Sequence, residues 1–536
     1  MKEKFARWHI LLLQYFKRDW KKIFIWILAL GLFSAGFIPA FEEMAKGDGL
    51  IGMYETLRNP AMVSIVGPTP IKEASKYTLG AMYSHEMLLF SGLFAMIISI
   101  LHVIGHTRKE EDLGLTELVR SFQVGRQANS LAVIVETIFI NLILALFIGV
   151  IMISFSADGI TTLGAFLFGF AIAIAGIIGA AIGILMAQIM PISSAATGSS
   201  LGIMGLLYLI RGGTDISNIK LSMLNPLGWV YLTYPFTENN WLTIIFGLIF
   251  SLVIMILALS LEGRRDMGAG YLPERQGRAN AKKTLLSIPG LFIKLNKGTI
   301  ISWLIAFPVL GAAYGAIYGD METFLESNEM MKQMFTYSGI SIEESFTSTI
   351  IMVMVLLVAI LPIAIVNKLF SEERNLNLSQ IHGTKVRRSQ LYWTNIFLAG
   401  LVSIIGLGLA VGGLGGAALS VMKSTTMNIV DFLVAGYNLL PSILFFIGLA
   451  GLVLGWIPNL RKILYIYLSY SFFVNYFAGI LNLPKIVINT SPISWLPKMP
   501  IESFKFKNFA IITIVSIGLT LLGYWGYKRR DMVEGA

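Results

Sequence analysis

The chain has no cysteine among its 536 residues, which excludes disulfides, iron–sulfur clusters and thiolate zinc sites. Its five histidines form no HExxH pattern. Charge is scarce: 13% of residues are charged, against about 25% in an average soluble domain. No GxxxxGK[ST] phosphate loop occurs, so the chain alone has no route of that kind to ATP hydrolysis. A cleavable signal peptide is not legible either. Lys17, Arg18, Lys21 and Lys22 precede the first long apolar run, and no small-residue cleavage site follows it. Carboxylates within apolar runs are few, and no pair of them reads as a proton or sodium relay.

What the chain does have is apolar sequence. Hydrophobic residues make up 55% of it, and the mean hydropathy is +0.73. This composition describes an all-α integral membrane protein. A bilayer span takes about 20 apolar residues as a helix. Twelve stretches qualify: 23–42, 86–106, 130–155, 161–188, 194–212, 242–262, 299–318, 348–370, 391–420, 429–456, 462–481 and 508–527. The net charge of +10 sits beside these runs, at Lys2 to Lys22, Arg264 to Lys297 and Lys528 to Arg530. That placement reads as positive-inside anchoring with both termini cytoplasmic, and not as nucleic-acid binding. The loop 482–507 fits poorly, since it falls outside yet carries Lys485, Lys498, Lys505 and Lys507.

The chain also repeats itself. Arg264-Arg265-Asp266-Met267 returns as Arg529-Arg530-Asp531-Met532, 265 positions later. Glu110-Glu111-Asp112-Leu113-Gly114-Leu115-Thr116-Glu117-Leu118 pairs with Glu373-Arg374-Asn375-Leu376-Asn377-Leu378-Ser379-Gln380-Ile381 at an offset of 263. After a one-residue slip, Arg126 pairs with Arg388. Pro226 and Trp229 in one half match Pro492 and Trp495 in the other, at an external turn that anchors the helix ends or gates an exit. Two parallel six-span halves follow: residues 1–267, a cytoplasmic connector 268–298, and residues 299–536. Phe5, Trp8, Leu12, Tyr15 and Phe16 predict an amphipathic surface helix before the first span, with a counterpart near 285–295 that Pro289-Gly290 interrupts. Gly408, Gly412 and Gly416, and likewise Ala175, Gly179 and Gly183, recur at the spacing of close helix packing. Glu136 is the one intramembrane ionisable residue that reads as a functional candidate.

This arrangement resembles the membrane subunit of type-2 ATP-binding-cassette exporters. The duplication resembles the twelve-span subgroup of polyketide-antibiotic, tetronasin-type exporters. Asn59-Pro60-Ala61-Met62 with Gly67-Pro68, and Pro226-Leu227-Gly228-Trp229, look like motifs of that subgroup. The resemblance implies a coupling helix after the second span of each half. It would be carried by Glu110, Glu111, Leu113, Leu115, Glu117, Leu118 and Arg126 in one, and by Glu373, Leu376, Leu378, Gln380, Ile381 and Arg388 in the other. It also implies two copies of a separate nucleotide-binding ATPase, with ATP and magnesium bound there and no cofactor in this chain. The expected function is a permease in a bacterial cell membrane, surrounded by lipid, that exports amphiphilic or hydrophobic compounds. The alternatives are an ion-coupled secondary transporter, for which Glu136 is the available group, and a toxin-binding immunity or sensor protein.

Overall fold

The computed structural model describes residues 2–47, 49–58, 60–273, 280–320, 342–422, 427–476 and 483–531. Asn59, Arg275, Arg278 and Met532 of the patterns above lie outside these. The described elements are all helical, with no strand among the described residues. Two compact units divide at 277/278, inside the connector read from the sequence.

The first unit holds α1 (Trp8–Ala35), α2 (Leu79–His106), α3 (Ala128–Ser154), α4 (Thr162–Ile189), α5 (Ser193–Ser217) and α6 (Leu242–Glu262). The second holds α7 (Ile288–Gly315), α8 (Ile342–Arg374), α9 (Arg388–Val421), α10 (Ile429–Asn438), α11 (Leu440–Trp456), α12 (Ile463–Tyr476) and α13 (Phe506–Arg529). Apolar helices satisfy their own backbone groups, which is what a lipid environment demands. Side chains cap several starts: Thr78, Thr161 and Ser287 accept from the backbone N–H three residues on, at 3.2–3.3 Å.

Among the described residues, eleven helices are long and apolar enough to cross a membrane. They correspond to all the expected spans except 462–481. There α12 has 14 described residues, about 21 Å at about 1.5 Å per residue, and 477–482 lie outside the described residues.

The separate surface helices are a correction. Between Phe16 and Phe24 the chain has neither glycine nor proline, so nothing stops the helix. α1 runs unbroken for 28 residues, roughly 42 Å against a hydrocarbon core of about 30 Å. The expected interruption at Pro289 is also absent. Pro289 stands in the first turn of α7, where its missing N–H is an orphan in any case.

The glycine stripes divide. A Cβ on Gly179 would lie 2.7 Å from the Met96 backbone, and one on Gly183 would lie 3.3 Å from Ile100 Cα, so α4 and α2 meet through these glycines. Gly412 and Gly416 have no such neighbour within 4 Å among the described residues; α9 packs through Gly413 on Pro308 and Gly406 on Phe307 instead. Gly179→Ala should therefore destabilise the purified chain by about 1–3 kcal/mol, the usual range for overpacking. Gly412→Ala should hold or slightly raise its melting temperature, since alanine is favoured over glycine in a helix by about 1 kcal/mol and nothing crowds the site. Equal melting temperatures for the two variants would contradict this packing.

Candidate functional site

The first unit turns sharply after α2. A short helix (Arg108–Asp112) follows, then Gly114 at φ +73°, then a second short helix (Leu115–Arg120). Glycine suits that left-handed position because it has no Cβ to clash. In the second unit α8 continues to Arg374, Leu376 takes φ +60°, and a single short turn (Ser379–His382) completes the loop.

Both loops are tied down by the same device. Arg265 grips the Glu111 carboxylate with two parallel bonds, Nη1 to Oε1 at 2.8 Å and Nη2 to Oε2 at 2.6 Å. Arg530 grips Glu373 in the same way, at 2.7 and 2.5 Å. Bidentate geometry of this kind is the strong form of a charge-assisted hydrogen bond. The backbone carbonyl of each gripping arginine then accepts from an arginine near the start of the third helix: Arg126 bonds Arg265, and Arg388 bonds Arg530 at 2.8 Å. Glu111 and Glu373 side chains are 8% and 5% exposed, so they face inward and hold the loop in place. Arg265 and Arg530, read from the sequence only as part of a repeated motif, are the other half of this clasp.

The first unit adds a hub. Arg108 is buried and donates to the carbonyls of Pro191, Gly268 and Ala269 as well as to Glu111. In the second unit the clasp sets Glu373 opposite Glu111, an offset of 262, so Phe370 stands where Arg108 does, and the Arg461 guanidinium lies 4.9 Å over its ring. Asp112 accepts from the backbone of Ser193 at 2.7 Å, an anchor that Arg374 cannot provide.

What the clasp leaves outside is apolar. Leu113, Leu115 and Leu118 are exposed, and so is Phe122 at 70%. The last was missed, although 115, 118 and 122 keep helical spacing on one face. Glu117 is exposed beside them. Glu110 is turned toward α1, where Arg18 holds it at 2.8 Å. In the second unit Leu376 is 51% exposed and Gln380 is also exposed, while Ile381 is half-buried. Leu378 is 2% exposed, part of that unit's core. It therefore stands apart from the surface where the resemblance had placed it.

The Pro-x-x-Trp turns are alike in detail. Trp229 Nε1 donates to the Met223 carbonyl at 2.6 Å, and Trp495 Nε1 donates to the Asn489 carbonyl at 2.8 Å, each six residues back. Pro226 and Pro492 are buried. Beside the first turn lies a polar cluster that sequence reasoning missed. Arg211 and Asp215, one turn apart on α5, pair at 2.9 Å with both side chains fully buried. Arg211 also donates to the Ser64 and Ile65 carbonyls, and Tyr231 and Ser222 donate to Asp215. Burial, and then the Asp215 charge, push the Tyr231 hydroxyl far above its ordinary value, which keeps it a donor. The i, i+4 spacing of Arg211 and Asp215 was the available signal.

Glu136 is wholly buried on α3, with Oε2 3.2 Å from His102 Nε2. No group of three or more metal-ligating side chains occurs among the described residues.

Residues 285–528 match the family model described as multidrug efflux system permease Rv1217c, C-terminal domain. The chain is also similar to the multidrug efflux system permease protein Rv1217c of Mycobacterium tuberculosis (strain ATCC 25618 / H37Rv). The two are 24% identical over 540 aligned residues, covering 97% of this chain and 94% of the relative. The chain is thus a multispan helical membrane protein similar, along nearly its whole length, to a permease.

Proposed function

We propose that this chain is the permease subunit of an ATP-driven efflux system for amphiphilic or hydrophobic compounds, powered by two copies of a separate ATPase. The observation that carries the reading is the rigidly clasped loop after α2 with Leu113, Leu115, Leu118 and Phe122 outside it. An exposed apolar cluster on a fixed helical turn, rimmed by charge, fits a groove on a partner protein. The second loop, with Leu376 and Gln380 outward, would receive the second ATPase copy through a smaller contact. The absent phosphate loop supports an ATPase on another chain. The printed name of the full-length relative supports drug efflux as the activity, without pointing to the tetronasin-type subgroup. We further propose that the two units are duplicated six-span halves, supported by the matched clasps and tryptophan turns. In this reading both termini and both loops are cytoplasmic, and residues 268–298 connect the halves.

The test is uptake of ethidium into inside-out vesicles holding the permease and its ATPase. Uptake should require ATP and both proteins. The buried Glu136–His102 pair is the observation that favours the alternative, an ion-driven transporter. Uptake driven by an imposed pH gradient without ATP would establish that alternative and overturn the proposal.

A further inference from the structure

Four ionisable side chains form a row inside the first unit. Asp19 on α1 accepts from His106 Nε2 at 2.8 Å. The His106 and His102 rings lie 4.3 Å apart, centroid to centroid. His102 Nε2 is 3.2 Å from Glu136 Oε2, and Glu136 Oε1 has no hydrogen-bond partner although it is fully buried. We propose that this row is an intramembrane proton-binding site, loaded from its Asp19 end.

Hydrogen-bond chemistry requires stored protons here. His106 Nδ1 lies 2.9 Å from the carbonyl oxygen of His102, which only accepts, so Nδ1 carries a hydrogen. Nε2 faces a carboxylate oxygen, and that contact also needs a hydrogen between the atoms. The His106–Asp19 pair thus holds one proton more than a neutral imidazole and a carboxylate would. The His102–Glu136 contact likewise needs a hydrogen, on Nε2 or on the carboxyl. Glu136 keeps one oxygen bare in a fully buried place, where an ionised carboxylate is costly. A proton on that oxygen removes the charge, and a proton is the ligand small enough for a side chain with no exposed surface.

The surroundings give the row a wet end and a dry end. On α1, Lys22 bonds Asp19 at 2.6 Å with its side chain 79% exposed. Arg18 bonds Asp19 and Glu110, both at 2.8 Å. The Tyr15 hydroxyl meets Asn129 of α3 and lies 3.3 Å from Glu110 Oε2, and Trp26 packs 5.7 Å from His102. From α3, Asn129 donates to the His106 carbonyl at 3.0 Å. The charged groups that would tune the site are therefore Arg18, Lys22 and Glu110 near the surface, while His102 and Glu136 lie inward.

The fold does not need the buried carboxyl. Under the pairing of Arg126 with Arg388, the equivalent of Glu136 is Leu398. Leu398 is buried in the second unit's core. One unit packs an aliphatic side chain where the other spends desolvation on a carboxyl.

The proposal goes beyond efflux and is testable without the ATPase. The purified full-length chain in lipid nanodiscs is titrated while infrared difference spectra record the protonated-carboxyl band. The wild type should show a protonated-carboxyl band that Glu136→Gln removes, beside any from other buried carboxyls such as Glu86 and Glu262. His102→Gln, which changes the group facing Glu136 Oε2, should alter that band. Glu136→Leu copies the second unit's packing at Leu398, so it should stay folded and lack the band. A protonated-carboxyl spectrum that is the same in the wild type and in both folded Glu136 variants overturns the proposal.

Discussion

Glu373→Ala should cost the second unit about 3–5 kcal/mol, the usual penalty for stranding one member of a buried ion pair. Arg530, 14% exposed with Glu373 in place, would keep, among the described residues, the Asp531 carbonyl at 3.4 Å and the faces of Phe370 and Tyr527. Glu111→Ala should cost less. Arg265 keeps Gln188 at 2.7 Å and the Ala269 carbonyl at 2.6 Å, and Arg108 keeps three carbonyls. Thermal unfolding of both variants should therefore rank Glu373→Ala as the more damaging. A double-mutant cycle with Arg530→Ala should return a coupling energy well above that of a surface pair, for which the median is about 0–1 kcal/mol. Near-zero coupling would mean that the clasp does not hold the loop.

The second large effect separates function from stability. Leu118 is 65% exposed, so Leu118→Asp should change stability by no more than about 0.5 kcal/mol. As an anchor in a partner's groove it should nonetheless cost about 2 kcal/mol or more of binding, a roughly thirtyfold loss of ATPase retention. Leu378→Asp should do the reverse. It puts a carboxylate into a site 2% exposed and should unfold the second unit before any question of binding arises. Retention of the ATPase by Leu118→Asp would remove that side chain from the interface.

Fold class was legible because apolar runs of span length have few other physical explanations. Eleven of the expected spans have long apolar helices, and the fifth, Ser193–Ser217, was found despite its Gly-rich start. Helix ends were less legible. A polar, basic first turn looks like a surface helix, but without a breaker the α-helix simply continues, as it does through Lys17 to Lys22. The loops after the second span of each unit were located by the repeated sequence pattern, yet the roles of their residues were not. Sequence alone treats Glu111 and Glu373 as exposed acids. Their burial depends on Arg265 and Arg530, over 150 positions away, and separations of that size are invisible to local pattern. The same limit hid Asp19, which reads as one charge in a basic stretch until His106 from α2 meets it. Glu136 was legible as an isolated intramembrane acid; its partner His102, 34 positions earlier, was not joined to it.

The central claim, that the clasped loops dock an ATPase, is tested most directly by site-specific photocrosslinking in native membranes. A photoreactive residue is placed at Leu118 in one variant and at Leu376 in another, and the adducts are identified by mass spectrometry. Both positions should yield adducts with a chain that carries a GxxxxGK[ST] phosphate loop, and Leu118 should give the stronger yield. An absence of adducts at both positions, or adducts only with chains lacking that motif, would contradict the account.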